Sequence, residues 1–142
     1  MKSIFSKSAL VPLAVATALA MSAGLALARD TQVVLSGAEE TPAVSTAAGA
    51  SGTISVADDH SVTGSITTHD VQATAAHIHA GTPGKSGPPV ISLVKTGDNV
   101  WSVPAGATLT DEQYASYLAG SLYINVHSAD HKPGEIRGQL RP

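Results

Sequence analysis

Leu122-Tyr123-Ile124-Asn125-Val126-His127 sets the fold class, because every second side chain, beginning with Leu122, is aliphatic. Side chains at i and i+2 share a face on an extended strand, so this period of two predicts a β-strand with one face towards a core. After a turn at Lys132-Pro133-Gly134, Ile136 to Leu140 repeats the alternation. These stretches predict the two closing strands of a β fold.

The chain after residue 28 reads mainly as further short strands. Ser61 to Thr68 alternates like a half-buried antiparallel strand, and Ala57 to His60 predicts the turn that joins it to the run 50–56. The other strand-like runs are bounded by turns or loops and cover residues 31–35, 75–79, 90–94 and 100–103. So many short strands in one domain predict an all-β fold, an antiparallel β-sandwich.

One segment departs from this period and predicts a short helix. Thr110-Asp111-Glu112-Gln113 has the spacing of a capping box, in which Thr110 caps the helix and Gln113 reaches back to it. Tyr114, Tyr117 and Leu118 form a short apolar stripe, and Gly120 is a typical residue after a helix end. We expect about three helical turns here.

The first 28 residues have the layout of a secretory signal peptide. Two lysines precede an apolar run from Ala9 to Ala20, and Ala26-Leu27-Ala28 gives a small-x-small cleavage pattern. We expect cleavage after Ala28, a single domain over residues 29–142, and a periplasmic or secreted protein without membrane attachment after cleavage. The alternative, an N-terminal membrane anchor, is disfavoured because the apolar run is short.

Composition excludes several classes of function. Residues 29–142 hold six basic and eleven acidic residues, a balance that gives no electrostatic surface for nucleic acid. Cysteine is absent, so disulfides and thiolate metal sites are excluded. The chain has no GxSxG nucleophile motif, and no catalytic residue is predicted. Gly84-Lys85-Ser86 lacks the earlier glycine of the full GxxxxGK[ST] pattern and a following helix, so it does not predict a phosphate-binding loop.

Four of the six histidines lie in two short segments, His77-Ile78-His79 and His127 to His131. On a strand, His77 and His79 project from the same face, and imidazole is the commonest metal ligand in proteins. We therefore expect a metal site formed by His77, His79 and His127, with His131 as a possible fourth ligand. Nitrogen ligands favour copper, with zinc as the second choice.

Three further polar residues are candidates for supporting this site: Asn125, Glu135 and Arg137. Glu135 and Arg137 share a strand face, so we expect them to pair with each other at the sheet edge or to contact the histidines. Arg137 is also able to steer an anion towards a metal. Asn125 and Glu135 are candidates to fix the histidine tautomers.

The ordered set of motifs resembles the CHRD domain, a module named from repeats in chordin and found singly in many bacterial exported proteins. The resemblance covers essentially all of residues 29–142 and rests on these stretches: 35–44, 76–81, 87–90, 109–110, 119–127 and 134–140. His131 departs from the family pattern, which usually has a small or amide residue there. The resemblance implies no activity, because animal repeats are linked to growth-factor antagonism and many bacterial members have no defined one.

Three functions stay open from the sequence. The first is metal storage, buffering or tolerance through copper, or zinc, held by the histidines. The second is a metal-free structural or protein-interaction module, in which the histidines bond backbone carbonyls and the partner is unknown. The third is a copper redox enzyme, since copper/zinc superoxide dismutases also use an HxH strand pair on a β-sandwich; the fold expectation accordingly includes immunoglobulin-like Greek-key and superoxide-dismutase-like forms.

Overall fold

The computed structural model describes residues 24–142, so the prediction of a signal peptide over residues 1–28 lies mostly outside the described residues. Nine strands, one 3-10 turn and one helix follow in chain order. They are β1 (Ala28–Ser36), the 3-10 turn (Gly37–Glu39), β2 (Gly49–Ala57), β3 (Val62–His69), β4 (Ala73–Ala80), β5 (Pro89–Ser92), β6 (Val94–Lys95), β7 (Val100–Ser102), α1 (Asp111–Leu118), β8 (Leu122–Ser128) and β9 (Ile136–Leu140).

All nine strands belong to one antiparallel sheet in the order β5-β4-β8-β9-β1-β2-β3-β7-β6. The predicted antiparallel all-β fold with one short helix is confirmed. The two outermost strands, β5 and β6, are separated in the chain by Leu93 alone, so a single segment joins both ends of the sheet. The sheet is therefore nearly closed, and its hydrogen bonds do not divide the strands into two separate sheets.

One hydrophobic core fills the inside of this sheet. It draws aliphatic side chains from both ends of the strand order, such as Ile78 on β4 and Ile66 on β3, together with Trp101 on β7 and Tyr117 on α1. The alternation predicted for β3 is confirmed, since Val62 and Ile66 are buried while Thr63 and Thr67 are exposed. No helix in residues 24–142 has both the length and the apolar character of a membrane span.

The helix α1 begins as its sequence predicts, but its eight residues form about two turns and not the three expected. The Thr110 hydroxyl accepts a hydrogen bond from the Gln113 N–H at 3.2 Å, and the Gln113 side chain accepts one from the Thr110 N–H at 2.9 Å. Both halves of the capping box are thus present and satisfy two N–H groups that a helix start leaves without partners. Gly120 follows the helix with a φ of +71°, as expected for its role after the helix end.

Strand β8 differs from the expectation that one face is open. Its outward residues Tyr123 and Asn125 are only 4% and 3% exposed. Three segments line the cavity above this face: residues 40–44 after β1, residues 86–87 before β5, and the turn at residues 131–134. The outer face is therefore buried at Tyr123, Asn125 and Arg137, while the outward side chains of β4 are only partly buried. The alternation of a single strand does not reveal this cover.

Candidate metal centre

Adjacent strands bring three histidines together on this covered face. His77 and His79 project from β4, and His127 projects from β8 next to it. In the register of the two strands, His77 lies opposite Asn125 and His79 opposite Tyr123, so His127 is diagonal to His77. Diagonal side chains on paired strands are within reach of each other when they are long or aromatic.

The geometry of the three rings is that of a possible ligand set. One nitrogen from each of His77, His79 and His127 can be chosen so that all lie within 4.8 Å of one another. The ring centroids are 5.0 Å apart for His77 and His127, 5.5 Å for His77 and His79, and 6.1 Å for His79 and His127. The histidine cluster predicted from the sequence exists for these three residues.

Backbone carbonyls fix the tautomers of two rings. The Nδ1 of His79 lies 2.9 Å from the Gly87 carbonyl oxygen, and the Nδ1 of His127 lies 2.8 Å from the Lys132 carbonyl oxygen. A carbonyl only accepts, so each Nδ1 carries the proton and each neutral ring keeps its lone pair on Nε2. Protein metal ligands are oriented in this way when their second ring N–H has a carbonyl or carboxylate partner.

The Nε2 lone pairs of His79 and His127 differ in their hydrogen bonding. The Nε2 of His127 lies 3.1 Å from the Nδ1 of His77, which therefore acts as the donor between neutral rings. The Nε2 of His79 is buried and has no hydrogen-bond partner among residues 24–142. A buried nitrogen without a partner is uncommon in proteins and calls for an explanation such as an ion or water.

Burial and the neighbouring rings disfavour the charged forms of His77 and His79. Burial is the main cause that lowers the pKa of His77 below its usual value, and the neighbouring His127 and His79 lower it further. Burial also lowers the pKa of His79, against the opposing effect of its bond to Gly87, with smaller contributions from His127 and Arg137. Since only neutral imidazole ligates a metal, both shifts favour ligation at neutral pH.

His131 does not belong to the group of three. It lies on the turn after β8, where its N–H bonds the Ser128 hydroxyl, and its side chain lines a cavity of about 410 Å³ that His79 also lines. The remaining two histidines lie elsewhere: His60 stacks on Tyr114 of α1, and His69 is exposed beside Asp70.

The predicted supporting residues have other partners than the histidine rings. Asn125 donates to the Glu40 carboxylate and to the Ile136 carbonyl. Glu135 accepts from Thr46 at 2.7 Å, and a hydrogen bond from the Ser128 side chain is the main cause that lowers its pKa. Within residues 24–142 neither Asn125 nor Glu135 bonds a histidine ring.

The predicted ion pair between Glu135 and Arg137 is not formed in the described part of the chain. Arg137 is 2% exposed and donates to the carbonyls of Lys85 and Thr82 at 2.9 and 3.0 Å. The expectation placed these residues at a sheet edge, but β9 lies between β8 and β1 in the interior of the sheet. Two carbonyls of the loop between β4 and β5 thus accept the hydrogen bonds that a carboxylate would accept in an ion pair.

Several residues around the cluster were not found from the sequence. Tyr123 stacks on His79 with centroids 5.0 Å apart and planes 9° apart, and its hydroxyl accepts the Gly87 N–H at 3.1 Å. Glu40 bonds Asn125 across the cavity, and burial raises its pKa. The alternation along β8, which puts Tyr123 on the same face as His127, could have pointed to Tyr123. A backbone carbonyl such as that of Gly87 leaves no signal in a sequence.

Comparison with known proteins identifies the domain. A family model described as the CHRD domain matches residues 31–140. No curated protein and no solved structure gives a significant match. The matched range includes all three histidines of the cluster and the loops that cover it.

Proposed function

The chain belongs to the CHRD domain family, and on that premise we propose that it is an exported metal-binding protein that holds copper, or zinc as the second choice. His77, His79 and His127 are the proposed ligands. The proposed role is metal buffering or tolerance outside the cytoplasm, which requires binding and release but no chemical turnover.

The observation that carries this proposal is the hydrogen bonding of the two ring nitrogens of His79. Its Nδ1 is held by the Gly87 carbonyl, and its Nε2 lone pair is buried without a partner beside two further imidazoles. An unpartnered buried acceptor costs free energy, which a bound metal ion would recover. Ligation through the His127 Nε2 would take up the lone pair that now accepts the hydrogen bond from His77.

The donor set favours copper(II) or zinc(II) over copper(I). Cysteine is absent, and the two methionines, Met1 and Met21, precede the described residues, so residues 24–142 offer no sulfur ligand. Nitrogen ligands suit copper(II) and zinc(II), and copper(II) binds more tightly at a given site of this kind. Three histidines also leave a further coordination position for water or an external ligand.

Export is the part of the proposal that rests on the sequence alone. The signal-peptide layout of residues 1–28 supports it, with a periplasmic or secreted location after cleavage at Ala28. In that case the domain would begin at Arg29, within β1, and would lose only the first residue of that strand.

Metal titration tests the proposal directly. The purified protein, freed of metal, is titrated with copper(II) and zinc(II) by calorimetry at neutral pH, beside His79→Ala, His127→Ala and His131→Ala. We expect binding at micromolar or lower concentration, weakened at least about 100-fold in the first two variants because each removes a ligand. His131→Ala should change the affinity by less than about threefold, because His131 is outside the group of three.

The matched control is His69→Ala, which removes an exposed imidazole away from the cluster. Equal affinity in the wild type, His79→Ala and His127→Ala would refute the site, since the binding would then come from other groups. A large loss in His131→Ala would instead show that the turn after β8 closes to supply a fourth ligand.

A metal-free structural network is the second candidate, and one observation favours it. His77 and His127 already bond each other at 3.1 Å, so two of the three rings are satisfied without an ion. This candidate predicts that His127→Ala lowers stability while neither metal changes the unfolding temperature of the wild type. The metal titration separates the two candidates, because only the first one predicts binding that depends on His79 and His127.

A further inference from the structure

The loop between β4 and β5 is held in place by side chains from two other strands. Arg137 on β9 donates to the carbonyls of Lys85 and Thr82, and Gln139 on the same strand donates to the Gly81 carbonyl at 2.8 Å. Tyr123 on β8 accepts the Gly87 N–H. Four backbone groups of residues 81–87 are thus bonded by side chains that project from β8 and β9.

This loop supplies the carbonyl that orients His79. A Cβ built on Gly87 would overlap the carbonyl oxygen of Ala80, so the Gly87 backbone lies directly against β4. Its own carbonyl oxygen then reaches the His79 Nδ1 at 2.9 Å. The orientation of His79 depends on where residues 81–87 are held.

Arg137 is a charged residue at a buried position, where an apolar side chain would be expected if packing were its only role. It is 2% exposed, and no carboxylate within residues 24–142 lies within 4.0 Å of its guanidinium. The Arg137 charge lowers the Glu40 pKa, so the two groups interact, but they form no close ion pair in the described residues, and burying a charge without one is costly. The planar guanidinium nevertheless binds two carbonyls of one loop at once, and it lies 3.5 Å over the Tyr123 ring, which stacks on His79.

We propose that Arg137 is a positioning residue of the histidine site, which holds the loop at residues 82–87 so that Gly87 keeps the His79 lone pair on Nε2. Arg137 touches neither the metal position nor a ligand nitrogen by hydrogen bond. It acts on the His79 tautomer through the loop backbone and through the Tyr123 ring, and its charge also contributes to lowering the His79 pKa. The effect on metal affinity rests on the proposed function, whereas the effect on the His79 tautomer does not.

The test uses Arg137→Lys and Arg137→Gln in the full protein, with Arg141→Gln as the control that removes an exposed arginine charge. Nitrogen-15 NMR of the histidine rings in the metal-free protein at about pH 8 reports the tautomer of each ring. We expect His79 to be Nδ1-protonated in the wild type and in Arg141→Gln, and to become a mixture of tautomers in both Arg137 variants. Zinc(II) and copper(II) affinities should fall about 10-fold to 100-fold in parallel, the usual loss on removing outer support of a ligand.

A tautomer and metal affinity that are unchanged in folded Arg137→Lys would overturn the inference. If the Arg137 variants do not fold, Tyr123→Phe provides the measurement, because it removes only the hydroxyl that holds the Gly87 N–H and keeps the stacked ring. An unchanged His79 tautomer in Tyr123→Phe would then count against the loop as the orienting element. Absence of metal binding in the wild type would refute the proposed function, and the tautomer result would still decide the role of Arg137.

Discussion

At the scale of single residues, the chemistry of the cluster follows from which nitrogen of each ring carries the proton. His79 and His127 both donate from Nδ1 to a backbone carbonyl, so their Nε2 atoms are acceptors. His77 shares its Nδ1 with His127. Burial and the neighbouring rings disfavour the protonated forms of His77 and His79, which links the cluster to pH.

The metal-free protein is expected to lose stability as the pH falls below about 6.5, the ordinary pKa of histidine. Folding lowers the pKa of His77 and His79, so the unfolded chain takes up protons first, and the loss grows until the pH passes the lowered values. Urea unfolding at about pH 7.5 and pH 5.5 measures this, with His77→Asn as the comparison.

The His77→Asn comparison is needed because Glu40 changes the stability with pH in the opposite direction. Burial raises the Glu40 pKa, so its contribution favours the folded state at low pH and is lost as the pH rises through that raised value. His77→Asn keeps Glu40 and removes one imidazole, so its stability should fall less than that of the wild type between the two pH values. An identical fall in both proteins would contradict the assignment to the histidines.

At the scale of secondary-structure elements, local signals in the sequence decide where most elements begin and end. The strands β8 and β9 and the capping box of α1 are confirmed in the structure, although both faces of β8 are largely buried. The run predicted as one strand over residues 90–94 is divided instead, because its partner changes after Leu93. The Leu93 N–H still donates to the Ala76 carbonyl of β4 at 2.9 Å, whereas Val94 pairs with Ser102 of β7. Pairing with two different strands, rather than a turn residue, ends β5 there.

Removing the cap of α1 should cost about 1 kcal/mol. Thr110→Ala leaves the Gln113 N–H without its acceptor, whereas Thr110→Ser keeps a hydroxyl at the same place. Urea unfolding should therefore show a free energy of unfolding lowered by about 1 kcal/mol for Thr110→Ala and nearly unchanged for Thr110→Ser. Equal stability of all three proteins would mean that the capping box does not stabilise the fold.

At the scale of the whole molecule, closure of the sheet depends on the segment from Pro89 to Lys95. Its first part pairs with β4 and its second part with β7, so it connects the two ends of the strand order. Leu93 lies between these parts and is 5% exposed, whereas the next residue, Val94, is 45% exposed. Leu93 therefore anchors the residue between the two strands in the core, in addition to Ile91 within β5.

Leu93→Ala is expected to lower the free energy of unfolding by about 2 to 4 kcal/mol, the usual cost of emptying a buried leucine site. Val94→Ala is the neighbouring control and should cost less than about 1 kcal/mol, because that side chain is largely in solvent. Trp101 fluorescence reports the transition, since this single tryptophan lies opposite Lys95 in the register of β6 and β7. Similar losses in the two variants would contradict the closing role of Leu93.

The sequence by itself determined the fold class, most strand positions, the capped helix, and the three histidines. These depend on short-range rules: which side chains share a face, which residues cap a helix, and which side chains ligate metals. For that reason His77 and His79 could be assigned to one face from their spacing alone, and His127 to the outward face of its own strand.

Only the tertiary structure decided the order of the strands, the cover over β8, and the surroundings of each ring. The pairing of β4 with β8 sets the register that brings His127 to His77 and leaves His131 on a separate turn. The partners of His79 and His127 are carbonyls of Gly87 and Lys132, and every residue has such a group. A carbonyl gains a specific role only through the position of the backbone, which depends on long-range packing that no local pattern encodes.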